Sequence, residues 1–455
     1  MNQTSIETTI RKFNGDSVSP ILIYRRLKGE RKFFMESSRQ FEGNGMYSYL
    51  GANPVKSYTV YKNELEEINH LTGERKIYSG NPYELLAQLV PSNNIMSQYD
   101  FSGGLVGFVT YDGMVDYEEH THCEIDLPAM QFDLYDTVII YNHLTDEVIV
   151  VHHEIVRSYE EANIDALIAE IFQGIKEPTQ RFEIEQFKSH TTDEQFSNFV
   201  LQAKQSIEQG EAVQLFLTKR FSAEFSGEPF TMYRRLRKEL PAPNMFYFEY
   251  PDMVIMGVSP DSIIRVRGKR VYITAVTGAR PRGATPSEDV KIELKLLQNS
   301  REVNAHNILV DSTMADLEEI CLPGTIHLLD YMKPMQFKHS IRLTTEIEGI
   351  LHEHMKPIEA LTLLVPPATS SGVPKRIASK IVCSIEGVPR SFSGGVIGYI
   401  SLNGNIDFTL LQQALVIKNQ RAYVQAGANI LIDTNEIDPV LEIRKKLNAF
   451  LKIDV

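Results

Sequence analysis

Hydrophobic and polar positions follow two different periods along this chain of 455 residues. In the first third the period is close to two, which puts successive side chains on opposite faces of a strand. Strands are predicted at Ser57–Tyr61, Gly104–Tyr111, Asp136–Asn142 and Glu147–His152. The last two read as a hairpin looped through His143–Asp146. A helical stretch is expected from Ser158 to Ile175. The charged run Lys176-Glu177-Pro178 after it is the candidate boundary between an N-terminal region, 1–180, and a second region, 185–455.

The second region mixes both periods. Thr191 and Thr192 offer N-caps with Glu194 and Gln195 as capping-box partners. Phe196, Phe199, Val200, Ala203 and Ile207 then recur at helical spacing up to Gly210. Strands are predicted at Val213–Phe221, Met245–Tyr250 and Met253–Val258, with helical stretches at Glu288–Glu319 and Lys375–Ser384. Further strands at Gly395–Leu402, Ala414–Ile417 and Ala422–Ala426 precede a final helix from Pro439 to Leu451, capped by Asp438. Many hairpin-like strand pairs among interspersed helices point to an α+β protein with large antiparallel sheets, not a doubly wound parallel one.

The net charge of −13 is not offset by any sizeable Lys/Arg block, which argues against nucleic-acid binding. Cys123, Cys321 and Cys383 match neither a disulfide framework nor a zinc spacing, so free thiols in a reducing, cytoplasmic setting are expected. The first ten residues lack the pattern of a signal peptide, and no apolar run is long enough to span a bilayer; no membrane association is expected. The chain contains no tryptophan, an economy that would suit a protein needed when tryptophan is scarce.

A series of short motifs runs through the whole sequence. In order they are Phe34-Met-Glu-Ser-Ser38, Gly103-Gly104 with Tyr111-Asp112, Gly210–Gln214, Pro243-Asn-Met245, Ser259-Pro-Asp261, Gly278–Gly283, Arg301–His306, Ser371–Lys375, Arg390–Tyr399 and Gln425–Asn429. With these motifs the chain resembles anthranilate synthase component I, of the chorismate-binding family, over essentially its full length. The resemblance implies that family's α+β fold and a chorismate-like dianion as substrate, aminated and cleaved to anthranilate and pyruvate. It also implies Mg²⁺ as cofactor, a glutamine amidotransferase subunit as partner and tryptophan as feedback effector. Carried over position by position, it makes Gln214, Arg342, Lys375 and Lys446 the candidate catalytic residues. Gly278, Ser393, Gln413, Gly427 and Ala428 would bind substrate, and Glu442 would hold the metal. Glu36, Ser37, Pro243 and Met245 would form the tryptophan pocket.

Several chemical positions depart from the family pattern. Ala305 and Pro439 stand where the family has glutamates, Arg342 where it has a histidine, Ser393 a tyrosine and Gln413 an arginine. Ala279 replaces a threonine, Asn429 a glycine, and Asp261 shortens a glutamate. With one metal glutamate gone, Arg342 and Lys375, with Lys446 nearby, are expected to hold a carboxylate directly; the alternative is an Arg342 turned out to solvent. The departures leave two functional readings. One is an anthranilate synthase component I. The other is a catalytically degenerate relative that binds tryptophan or a chorismate-like anion as a regulatory or partner subunit. Glu302 and His306, at i and i+4, form a further candidate metal pair, although such pairs are more often structural.

Overall fold

The computed structural model describes residues 6–38, 46–61, 64–89, 97–115, 125–155, 164–172 and 181–451. Among these residues two large antiparallel sheets form the body, one of 13 strands and one of 11. The first runs from an edge at Thr8–Asn14 through Lys32–Glu36, Asn244–Glu249, Met253–Ser259 and Arg421–Ile430 to Gln214–Gly227 and Phe182–Ile184. The second runs from His327–Gln336 through Ser340–Ile350, Arg270–Pro281, Ser262–Arg267 and Ile406–Leu411 to Gly104–Val109 and Arg75–Ser79. This is the α+β architecture expected from the hairpin-rich pattern.

The apolar runs explain how the layers stack. In Asn244–Glu249, Phe246 and Phe248 belong to one core and Met245 and Tyr247 to another. In Met253–Ser259 the same alternation puts Ile255 on one side and Val254, Met256 and Val258 on the other. Strands buried on both faces read as continuous hydrophobic runs. The first of these cores also takes Phe108, Ile397 and Tyr399 from the second sheet, so it is the seam between the sheets. The outer face of the first sheet is covered by helices including Asp193–Glu208 and Lys375–Glu386, and that of the second by Ser300–Ile320 and Pro357–Leu364.

Both sheets take strands from both sides of the expected boundary. Lys32–Glu36 pairs with Asn244–Glu249, and Gly104–Val109 with Gly395–Ser401. The regions 1–180 and 185–455 are therefore divisions of chain and not of layers, because each completes the other's backbone ladder.

Local signals account for most helix ends. The Thr192 hydroxyl accepts from Gln195 N (3.1 Å) while the Gln195 side chain accepts from Thr192 N (2.9 Å), the expected capping box. The single helical stretch expected over 288–319 is two helices, Pro286–Gln298 and Ser300–Ile320. Asn299 ends the first and caps the second, its side chain accepting from Glu302 N at 3.2 Å, because a short polar side chain competes with helix continuation. Of the helix expected over 158–175, Ile164–Phe172 is described and is helical; its ends, like Cys123, lie outside the described residues. Cys321 and Cys383 are free thiols, and no helix among the described residues is long and apolar enough to cross a membrane.

One buried charge knits the sheets together. Arg390, 1% exposed, donates to both carboxylate oxygens of Glu386 (2.7 Å each) and to the carbonyls of Ser370 and Phe216 (2.5 Å each). Glu386 in turn accepts from the Thr218 backbone and hydroxyl, and the guanidinium lies 4.7 Å from the Tyr111 ring centre. Arg390→Ala would leave Glu386 buried and unpaired. Chemical denaturation is expected to show a loss of about 3–5 kcal/mol. The double change Arg390→Met with Glu386→Leu is expected to recover part of it; a loss no larger than that of a surface variant would refute the pair's role.

Candidate functional site

The candidate site forms where the chain crosses from one sheet to the other. Ser259-Pro260-Asp261 joins a strand of the first sheet to Ser262–Arg267 of the second, and Gln412 joins Ile406–Leu411 back to Gln413–Lys418. The crossovers run side by side, with Val258 opposite Gln413 and Ser262 opposite Thr409. Backbone at such points is released from the ladder and free to present side chains. Asp261 sits here, 4% exposed, with its backbone carbonyl taking the Thr409 hydroxyl at 2.5 Å.

The first sheet supplies one wall. Gly427 and Ala428 lie opposite Thr218 and Leu217, beside the start of the Gln214–Gly227 strand. A Cβ at Gly427 would fall 2.4 Å from the Phe216 ring, so only glycine fits. The Gly427 carbonyl accepts from Lys446 Nζ (2.7 Å), and Lys446 also pairs with Glu442 one turn earlier on the last helix (2.7 Å). Gln214, 3% exposed, donates from Nε2 to Asn429 Oδ1 at 3.0 Å, leaving its own Oε1 buried without a partner.

The second sheet supplies Arg342, in the strand Ser340–Ile350, and Gly278, whose φ of +65° lies in the left-handed region beside the Glu302 carboxylate. Arg342 is half-buried and not turned out to solvent; Phe337 lies under its guanidinium at 5.5 Å. Desolvation pulls its pKa down, and the charges of Asp261 and Glu442 oppose that pull. Asp261 shows the reverse: burial pushes its carboxyl up to about 6, against the influence of Arg342 and Lys446.

The remaining sequence candidates are held by partners within the protein. Lys375 is two residues beyond Val373, the register partner of Gln214, but its ammonium pairs with Asp316 (2.8 Å) and the Leu363 carbonyl (2.7 Å). Its charge is thus matched by Asp316 in this structure. Ser393 is buried in the turn after Arg390. His306 is wholly buried between the hydroxyls of Thr277 and Thr345, 2.6 Å from each, and burial lowers its pKa to about 4, while Glu302 pairs with Arg280 at 3.0 Å. That i, i+4 pair is structural.

A cavity of about 330 Å³ opens between the sheets, and Glu36, Ser37, Pro243 and Met245 all line it, with Met245 directly opposite Glu36. The buried Glu36 carboxylate accepts from Arg237 Nε and Nη2 (2.5 Å each) and from the Tyr233 hydroxyl (2.8 Å). Burial raises its pKa, and Arg237 pulls it back. Ser37 Oγ is buried with no partner. The far wall carries Arg265 and Arg267, both 3.1 Å from Asp407, which sequence reading missed. Their signal was present: in Ser262–Arg267 the charges at 265 and 267 alternate with the apolar positions 264 and 266. Asn429, the clamp on Gln214, was visible only as a departure.

The residues present do not fit a magnesium site. Mg²⁺ takes oxygen ligands in near-ideal octahedral geometry. Glu442 is engaged by Lys446, Glu302 by Arg280, and Ala305 offers no oxygen. No group of three His, Cys, Asp or Glu side chains suited to a metal occurs among the described residues.

Residues 30–452 match the family model of chorismate binding enzymes. The chain is 30% identical over 458 residues to anthranilate synthase component 1 of Lactococcus lactis subsp. lactis, covering 98% of this chain and 99% of that protein. To the Acetivibrio thermocellus protein of the same name it is 31% identical over 463 residues, covering 96% and 93%. The crystal structure of anthranilate synthase component I from Streptococcus pneumoniae superposes with a TM-score of 0.79 at 27% identity, covering 96% of this chain and 98% of that one. The menaquinone-specific isochorismate synthase of Escherichia coli reaches 0.77 at 15% identity over 99% and 94%, a likeness of fold alone.

Because the folded state holds the Asp261 proton more tightly than the unfolded chain, this group's contribution to stability is largest at low pH and is lost as pH rises through about 6. Asp261→Asn keeps the shape without the ionisation. Melts across the pH range are expected to show a stabilisation that grows from pH 4 to pH 8, to at most about 3 kcal/mol. A difference that does not change with pH would contradict this account.

Proposed function

The chain belongs to the chorismate-binding enzymes, and we propose that it acts as an anthranilate synthase component I. The observation that carries this reading is the full-length similarity to proteins of that name, which spans both the pocket and the cavity between the sheets. In the proposed reaction a C–N bond forms between ammonia and the chorismate ring and the ring hydroxyl leaves as water. Loss of the enolpyruvyl group as pyruvate then makes the ring aromatic.

Such chemistry asks for neutralised carboxylates, a held amine and a proton carrier. Arg342, which has no ion-pair partner among the described residues, suits the first task. The unpartnered Oε1 of Gln214 is an acceptor suited to an ammonia N–H, and the bond from Gln214 to Asn429 keeps the amide in that orientation. Asp261, whose proton is held to about pH 6, suits the third. A glutamine amidotransferase subunit is the proposed source of ammonia. Tryptophan is the proposed effector: the cavity at Glu36, Ser37 and Met245 combines aromatic walls, charged groups and an unsatisfied hydroxyl, as an aromatic amino acid requires.

One observation favours a second reading. A guanidinium neither gives nor takes a proton near neutrality, and it stands where the family resemblance expects a histidine. In that reading the chain binds tryptophan or a chorismate-like anion without turnover and acts through a partner.

Anthranilate fluorescence with purified chain, chorismate and excess ammonium at alkaline pH separates the two, since ammonium bypasses a missing amidotransferase. Steady product formation is expected, falling about tenfold or more in Arg342→Gln. Tryptophan is expected to raise the melting temperature, and Ser37→Leu, which fills the cavity, to abolish that rise. A tryptophan-dependent rise without any product would replace the first reading by the second.

A further inference from the structure

The pocket's charges have an asymmetry that the family resemblance does not contain. Each nearby carboxylate at hydrogen-bond distance of a cation is already taken: Glu442 by Lys446 and Glu302 by Arg280. Arg342 is the opposite case. Its one hydrogen bond runs from Nε to Ser340 Oγ at 3.4 Å, the long end of the range, and among the described residues it has no ion-pair partner. The two terminal nitrogens are therefore an open fork, in a setting where desolvation makes an unmatched charge costly.

The fork is also held in place. Arg342 lies on a central strand of its region, opposite Met335 of one neighbour and next to Ile341, which pairs with Arg280 of the other. Phe337 supports the guanidinium plane from below, and Asp261 and Glu442 act on it through space without touching it. A guanidinium fixed this way matches a carboxylate by two parallel hydrogen bonds. It repels a divalent cation, for which the surroundings offer no free set of oxygens.

We infer that Arg342 binds a ring carboxylate directly and supplies the positive charge that a divalent metal would otherwise bring, so that ligand binding in this pocket is independent of metal. The inference rests on the reading of the pocket as a site for a chorismate-type dianion, and goes beyond it in naming the cation and removing the metal.

The test is calorimetric titration of chorismate into the full chain, once in EDTA and once in excess Mg²⁺, with Mn²⁺ titrated separately into the ligand-free protein. The expected dissociation constant is the same within about twofold in the two buffers, and Mn²⁺ alone gives no saturable binding. Arg342→Gln is expected to weaken chorismate about tenfold or more in both buffers, and Arg342→Lys, which keeps the charge but not the fork, to restore part of the loss. Because Arg342 has no ion-pair partner among the described residues, both variants are expected to fold, and circular dichroism melts check this. Binding that appears only with Mg²⁺, saturable Mn²⁺ binding lost in Glu442→Gln, or unchanged affinity in a folded Arg342→Gln would each overturn the inference while leaving the pocket reading intact. No chorismate binding in either buffer would sink the pocket reading and this inference together.

Discussion

The buried pair of Arg390 and Glu386 is the constraint on which the rest of the structure depends. A guanidinium removed from water is tolerable only if its donors are matched, and here they are shared between a carboxylate and two backbone carbonyls from separate segments. Through these bonds one residue ties the Gln214–Gly227 strand of the first sheet to the short helix Ala368–Ser371. The next peptide, at Ser391, donates to Asp112, and Arg390 N does the same, so the end of the Gly104–Val109 strand of the second sheet joins the same network. Both sheets and the helix carrying Glu386 are thereby referenced to one point.

Given that reference, the crossovers determine where chemistry is possible. Side chains in mid-strand are committed to a core on one face or the other, as the alternation in Asn244–Glu249 and Met253–Ser259 illustrates. At Asp261 and Gln412 the chain leaves one ladder for the next, and a polar side chain gains access to the space between the layers. The cavity at Glu36 reaches Thr409, the register partner of Ser262 beside one crossover, and Asp261 at that crossover lies within electrostatic reach of Arg342 and Lys446.

The two sites balance charge differently. Around the cavity, Glu36 is matched by Arg237, and Asp407 by Arg265 and Arg267, while the Ser37 hydroxyl is left without a partner. In the pocket, Lys446 and Arg280 are matched while Arg342 is not. The residues that hold the sheets, such as Arg390 and Glu386, are by contrast in full contact. Scaffold and site are thus physically separable: altering the open fork does not touch the matched pairs on which the fold rests.

What the sequence by itself determined is what depends on near neighbours in the chain. Period-two runs located some strands, such as Ser57–Tyr61 and Glu147–His152, but not Lys32–Glu36, Ser262–Arg267 or Ser340–Ile350; the Thr192–Gln195 box located a helix start, and the motifs from Phe34 to Asn429 identified the fold family. The break at Asn299 was missed because a polar residue inside a long helical pattern reads as surface until its side chain is seen capping. The tertiary structure alone decided which charges meet. Lys375 and Arg342 look equivalent in a list of cations, yet Asp316, 59 positions before Lys375, forms an ion pair with one, while among the described residues the other has no ion-pair partner and feels Asp261 and Glu442 only through space. Likewise the strands on either side of residue 180 had to be paired before the two regions could be recognised as sharing both sheets. Ion pairs and strand pairing join residues far apart in sequence, and their energies depend on distance and burial, which no local pattern encodes.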